Sequence, residues 1–336
     1  MTESKDIFYF HLLRVVAAFA VVMIHVLGPW RELYGVVPQH QWFSATAINA
    51  VSRWAVPVFI MLSGALLLFP STPLNAQRYL QRRVAKVVVP FLAWSLIYCL
   101  ISGGQSGDWQ HTWDAILALP KSPSWYHLWF FYDFIPLYFV IPLLGALLAK
   151  MSTEQIKLLL VAWLLLTLTQ WLRIDTPLRI NLLLYSGYLL LGWFLHQQRQ
   201  YWRWWLGLGG VMLLVNVVGS GWAAELKGGY SAKYMSYKTL NTALIAAMVF
   251  VLAQRYGYRV SRALHRPILS LSRYSLGIYL LHPLLLIPIR PIDNGVYHWF
   301  GHPLLAIPLL SVMVLLLSWL LVAAVSKIPI IKQLVP

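Results

Sequence analysis

The stretch FYFHLLRVVAAFAVVMIHVLGP, Phe8–Pro29, decides how the whole chain is read. It is an apolar run long enough to cross a bilayer, which takes about 20 residues. Yet it holds Arg14 inside it and His25 toward its far end. No small-residue cleavage site follows, and further apolar runs do, so it reads as a retained transmembrane helix and not as a signal peptide. The pattern repeats outward from it. Runs at about 43–69, 84–103, 126–149, 157–172, 179–196, 203–220, 239–254, 267–289 and 303–325 bring the expected spans to ten, with the fifth and eighth short.

Composition points the same way. Hydrophobic residues make up 60% of the 336 and charged residues 11%, against roughly 45–50% and 25% in soluble domains. That excludes a soluble enzyme and a disordered chain. The 17 Trp, 18 Tyr and 14 Phe suit a lipid–water boundary. A net charge of +16 would suggest nucleic acid in a soluble protein. In a membrane protein it reflects Lys and Arg gathered in cytoplasmic loops, so no nucleic-acid partner is expected. The single cysteine, Cys99, rules out an intramolecular disulfide framework and a Cys-based metal cluster. The histidines are scattered without a His-Glu-x-x-His pattern, and neither a Gly-rich phosphate loop nor a Gly-x-Ser-x-Gly elbow is present. No metal is therefore expected. The loops are too short for a soluble domain, and no internal repeat is visible. The expectation is one all-α, polytopic transmembrane bundle over residues 1–336.

Charge asymmetry sets the orientation. With the N-terminus inside, Lys5, the Arg78–Lys86 stretch, Lys150, Lys157, Arg199, Arg203, the five arginines between Arg255 and Arg273, Lys327 and Lys332 share one side. The other side holds fewer bases, among them Arg31, Lys121, Arg173, Lys227 and Arg290, and most of the acids. Both termini are expected in the cytoplasm.

Arg14 and Arg53 fall inside spans. Charge at that depth costs at least ~2.5–3.5 kcal/mol on insertion scales, so it is normally kept for function or paired within the bundle. Arg14 and His25 are eleven residues apart, close to three turns, so both project from one helix face roughly 16 Å apart. Taken singly, His25 reads as a hydrogen-bonded core histidine and Arg14 as a side chain snorkelling to the inner interface. As a pair they suggest an arginine that holds an anionic group near the inner mouth and a histidine that serves as general base farther along. His282 falls at the depth of His25, with Tyr279 one turn below it. Arg53 enters from outside, and His127, Trp129 and Asp133 gather near the outer end of the fourth span. These six are candidates for an acceptor pocket. The competing readings are an interfacial tryptophan belt and, for Asp133, pairing with an arginine. Ser63 and Gly64 suit close helix packing.

Five segments in order also resemble one family. LLRVVAAFAVVMIH (Leu12–His25) resembles the opening of membrane-bound acyltransferase family 3, whose first helix carries Arg, ten residues, then His. VPVFIMLSGALLL (Val56–Leu68), RRVAKVVVP (Arg82–Pro90), HLWFFYDFIPLYFVIPLL (His127–Leu144) and YSLGIYLLHPLL (Tyr274–Leu285) resemble its later motifs at matching depths. Among members the chain looks closest to the short stand-alone type. The resemblance implies transfer of an acyl group, usually acetyl, from cytoplasmic acetyl-CoA to a hydroxyl of a lipid-linked or surface glycan, in a bacterial inner membrane. It assigns catalysis to Arg14 and His25. It gives the basic stretch Arg82, Arg83 and Lys86 to the phosphates of CoA, with ordinary cytoplasmic charge as the competing reading. Lys86 stands where the family usually has Arg, which keeps the charge and loses bidentate geometry. His11 stands where many members have Asp. Membrane lipids are the other expected partners, and a homo-oligomer is left open. A glycan or lipid transporter, a non-catalytic assembly subunit and a succinyl donor are the alternatives.

Overall fold

The computed structural model describes residues 8–68, 75–291 and 296–335; Glu3, Lys5, Asp6 and position 69 of the second expected span lie outside them. The described residues form helices and no strand, and the chain is a multi-pass membrane protein. The first run is helix α1 (Phe8–Val26), which ends where Gly28 and Pro29 open a 3₁₀ turn, Gly28–Leu33. The second span is broken into α2 (Gln39–Ser52) and α3 (Ala55–Leu67), with Arg53 and Trp54 between them. Pro57 has no N–H to return to the Arg53 carbonyl, so the break falls where a charged side chain is placed.

The third span begins as α4 (Ala76–Arg83), capped by the Asn75 side chain, which accepts from the Arg78 N–H at 2.9 Å. It passes through a π-helical turn, Val84–Val88, into α5 (Val89–Ser106). Pro90 lacks the donor that the Lys86 carbonyl would meet in a regular helix, and the wider turn absorbs that loss. A short helix not expected from the sequence follows, α6 (Trp109–Ala118). Its Trp109, Trp113 and Leu117 recur every four residues and stand exposed, the pattern of a helix lying in the membrane interface.

The remaining spans are α7 (Trp129–Leu148), α8 (Thr153–Leu172), α9 (Asn181–Gln197), α10 (Trp202–Lys227), α11 (Leu240–Tyr256) and α14 (Pro303–Val325), with α12 (Arg262–Arg273) and α13 (Ser275–Leu286) between the last two. By length and composition, 8 helical stretches among the described residues can cross a membrane. The other two expected spans differ. α9 reaches only 17 residues. The run at 267–289 is divided at Tyr274 into a basic, amphipathic α12 and a 12-residue apolar α13.

The loops that share a charge character share an end of the bundle. At the basic end, the Tyr9 hydroxyl meets His196 Nδ1 at 2.6 Å, His11 Nδ1 meets the Ser272 hydroxyl at 2.9 Å, and Trp94 donates to the Leu334 carbonyl at 2.8 Å. At the other end, the Tyr297 hydroxyl donates to the Val26 carbonyl at 2.5 Å. Between them α1 packs against α2, α3, α11, α12, α13 and α14, so whatever its side chains carry is set in the middle of the protein. Helices α3 and α9 approach each other closely. A Cβ on Gly64 would lie 2.0 Å from the Leu189 carbonyl oxygen, and one on Gly192 would lie 2.0 Å from the Met61 carbonyl oxygen. Each glycine admits the other helix's backbone, the packing that small residues allow in membranes.

Candidate active site

Two cavities approach α1 from opposite ends. The inner one, about 220 Å³, is lined by Arg14 and Val21 of α1, by Val56, Phe59, Leu62, Ser63 and Leu66 of α3, by Phe130, Phe134 and Tyr138 of α7, and by Ser275, Leu276 and Tyr279 of α13. Its walls are mostly apolar, with arginine, serine and tyrosine groups spaced along them. Arg83 sits beside it, its guanidinium 5.5 Å from the centre of the Tyr138 ring and 5.3 Å from that of Tyr79. Of the three basic residues expected near CoA, Arg83 is half-buried there, whereas Arg82 and Lys86 are exposed and do not line the cavity.

The outer cavity, about 380 Å³, is lined by Ile24, His25, Gly28, Pro29, Arg31, Glu32, Arg53, Tyr126, Trp129, Tyr237 and Arg290. His25 and Arg14 therefore open onto different spaces. The inner cavity rises along α1 from Arg14 to Val21, seven residues or about 10 Å, and His25 is one turn farther on. Tyr279 forms part of the division between the two spaces. It lines the inner cavity, and its hydroxyl donates to the His127 carbonyl.

Three histidines meet at that division. His25 and His282 lie edge to edge with nearly parallel rings, their centres 5.0 Å apart and the interplanar angle 4°, and His25 Nδ1 lies 2.7 Å from His282 Nε2. The His127 ring is 6.4 Å from that of His25 and 5.8 Å from that of His282, fully buried. Among the described residues, no set of three or more His, Cys, Asp or Glu is placed to hold a metal. The hydrogen bonds define the tautomers. His282 Nδ1 is 3.0 Å from the Ile278 carbonyl, which can only accept, so His282 Nδ1 carries a proton. In the neutral ring His282 Nε2 is then an acceptor, and His25 Nδ1 must donate to it. A neutral His25 consequently keeps an unshared pair on Nε2, on a ring that forms part of the outer cavity wall.

The other expected residues separate. Arg53, 8% exposed, donates to the Tyr237 hydroxyl at 3.0 Å and the Tyr230 hydroxyl at 3.3 Å. Trp129 lines the outer cavity and stacks on Tyr237, ring centres 5.6 Å apart. Asp133 lies outside both cavities. It accepts from the Asn181 amide at 2.9 Å, and Asn181 in turn accepts from Lys238 at 2.9 Å, so the carboxylate belongs to a polar link between helices and pairs with no arginine among the described residues. Ser63 faces the inner cavity, while its neighbour Gly64 forms the helix contact.

Sequence reading missed Tyr126, Arg31 and Arg290. The Tyr126 ring centre is 5.1 Å from that of His25, and its buried hydroxyl has no hydrogen-bond partner among the described residues. Arg290 lies 4.0 Å over the Tyr126 ring. All three sit in connecting segments, where aromatic and basic residues are ordinary, so nothing in the pattern marked them.

No curated protein and no solved structure gave a match to this chain. A family model described as an acyltransferase domain, that of acyltransferase family 3, matches residues 7–323. It takes in all the helices described above but for the last two residues of α14, α1 and the residues lining both cavities included, and the chain belongs to acyltransferase family 3.

Proposed function

We propose that this protein is a membrane O-acyltransferase that moves an acetyl group from cytoplasmic acetyl-CoA to a sugar hydroxyl of a lipid-linked or surface glycan, in a bacterial inner membrane. It would be of the short stand-alone type that includes the enterobacterial common antigen O-acetyltransferase. The observation that carries this reading is the tautomer of His25: one ring nitrogen is held by His282 and the other is left with an unshared pair, on a residue that lines the outer cavity.

The inner cavity suits the acyl donor. Arg83 at its side and Arg14 within it can meet phosphate and amide groups of CoA through charge-assisted hydrogen bonds. The narrow, mostly apolar channel beyond them fits a pantetheine arm, which is long and thin. The thioester then arrives near the Tyr279–His127 division with the CoA head still at the cytoplasmic end. The acceptor enters the outer cavity, where Trp129 and Tyr237 offer aromatic faces to a sugar.

The chemistry is a direct transfer. His25 Nε2 takes the proton from the acceptor hydroxyl as that oxygen bonds to the thioester carbonyl carbon. The carbonyl becomes an oxyanion, for which the unpartnered Tyr126 hydroxyl is a candidate donor. Collapse breaks the carbon–sulfur bond, and the imidazolium of His25 returns the proton to the departing thiolate, giving CoA and the acetyl ester. His282 holds the tautomer throughout, as a positioning residue.

The reading is tested by transfer of radiolabelled acetyl groups in membranes, comparing wild type with Arg14→Ala and His25→Ala at matched expression. Label in a glycolipid fraction with the wild type alone is expected. Equal label in all three would place the active site elsewhere. No label under any condition, with no binding of CoA, would favour a transporter.

A further inference from the structure

The outer cavity carries more positive charge than a neutral sugar requires. Arg31 stands in the 3₁₀ turn after α1, Arg53 at the break between α2 and α3, and Arg290 beyond α13, and all three line the cavity that holds His25. Each guanidinium is backed by a tyrosine ring: Arg31 over Tyr230 at 5.5 Å, Arg53 over Tyr237 at 5.3 Å, Arg290 over Tyr126 at 4.0 Å. These rings and the two tyrosine hydroxyls on Arg53 are poor substitutes for a counter-ion. Among the described residues, no carboxylate comes within 4 Å of any of the three, and the Nε groups of all three are buried without a partner. Burial, reinforced by the neighbouring Arg53 and Arg290 charges, lowers the pKa of Arg31 below its ordinary value. Collecting like charges at membrane depth is costly unless something anionic completes them.

Charge and hydrogen-bonding geometry identify the kind of group that would complete them. Among the described residues, three guanidiniums against the one carboxylate in the wall, Glu32, leave a formal excess of two positive charges. A single sugar carboxylate or a phosphodiester offers one negative charge; a diphosphate diester offers two. Guanidiniums also match the oxygens of phosphate in paired hydrogen bonds. The cavity lies at the end of the bundle opposite the basic loops, at the level expected for a lipid headgroup. We infer that Arg31, Arg53 and Arg290 hold the diphosphate bridge of a lipid-linked sugar, so that the protein acts on a glycan still joined to its lipid carrier and the anchored diphosphate sets which sugar reaches His25. The second half of this inference rests on the acyl-transfer reading; the binding site itself does not.

The test is direct binding to the purified full-length protein in nanodiscs of neutral lipid, without acyl-CoA. The probes are citronellyl-diphosphate-linked N-acetylglucosamine, the same lipid joined to the sugar by a neutral glycoside, UDP-N-acetylglucosamine and glucuronate. The lipid diphosphate sugar should bind best and weaken as salt is raised. Arg53→Gln and Arg290→Gln should each lose affinity by on the order of tenfold or more, the range for a hydrogen bond to a charged group. Arg31→Gln, half-buried in a 3₁₀ turn where Arg53 is buried, should lose affinity in the same direction, while Arg259→Gln at the opposite end should bind as wild type does. Equal binding of the neutral glycoside, or unchanged binding in the three variants, overturns the anion site. Stronger binding of UDP-N-acetylglucosamine or of glucuronate overturns its assignment to a lipid carrier. Acyl transfer measured on the same preparation is a separate readout, so binding without transfer would sink the proposed reaction and leave the anion site standing.

Discussion

The two cavities that flank α1 are built from opposite materials. The inner one is a mostly apolar slot with one arginine lining it and a second beside it, and the outer one gathers three arginines, a glutamate and several aromatic rings. An apolar slot gains by excluding water around a thin, flexible chain. An arginine-rich bowl gains by meeting charge and tolerates water until it does. On the proposed reading, that difference separates a donor and an acceptor of different chemistry, with the histidine pair between them. A transporter moving one substrate through the bundle would have no need of such contrasting halves.

Several substitutions would break or sharpen that contrast. The largest effect is expected at the junction, where His25→Ala should lower kcat by ~10²–10⁴-fold, the range for a lost general base, with acetyl-CoA still bound; transfer of label paired with calorimetric binding of acetyl-CoA checks both. Next comes the scaffold that keeps the halves apart. Gly64→Leu forces a side chain into the Leu189 carbonyl and should destabilise the protein by ~1–3 kcal/mol or more, as overpacking does, seen as a lower unfolding temperature in detergent. On the inner side alone, Arg83→Gln should raise KM for acetyl-CoA by about tenfold while leaving affinity for the outer ligand unchanged, since a charge-assisted hydrogen bond is worth ~1.5–3 kcal/mol. Steady-state kinetics with each substrate varied in turn would show the split. The smallest effect belongs to Asp133→Asn, which keeps a hydrogen bond to Asn181 and should change kcat by less than about twofold, because surface-type polar pairs contribute little. A large loss there would mean that the outer site extends farther along α7.

Much of this contrast was legible in the sequence, and unevenly so. Arg14, His25 and Arg53 were conspicuous because lipid makes charge expensive, so their presence inside apolar runs demanded a reason. Depth counting placed His282 level with His25, and the two rings meet nitrogen to nitrogen at 2.7 Å. Arg31 and Arg290 gave no such signal: they stand in outer connections, where charge is cheap until the fold draws those connections over a cavity. Tyr126 was hidden in the same way among the aromatic residues of a boundary. The spans themselves followed from hydrophobicity, but the breaks did not. The interruption at Arg53–Trp54 depends on Pro57 three residues later, and the division at Tyr274 separates a basic amphipathic helix from an apolar one that simple run-counting joins. Asp133 shows the opposite limit, a buried-looking charge whose partner is an amide from a distant helix and not the arginine that charge alone suggests.

The separation of the two ligands is open to one direct measurement. In a Cys99→Ala background, Ser63→Cys reports on the inner cavity and Pro29→Cys on the outer one. Each is labelled with a small, membrane-permeant maleimide, with and without acetyl-CoA. Acetyl-CoA is predicted to slow labelling of Ser63→Cys strongly and to leave Pro29→Cys unchanged. Protection of Pro29→Cys with Ser63→Cys left open would contradict the account, because the donor would then occupy the cavity assigned to the acceptor.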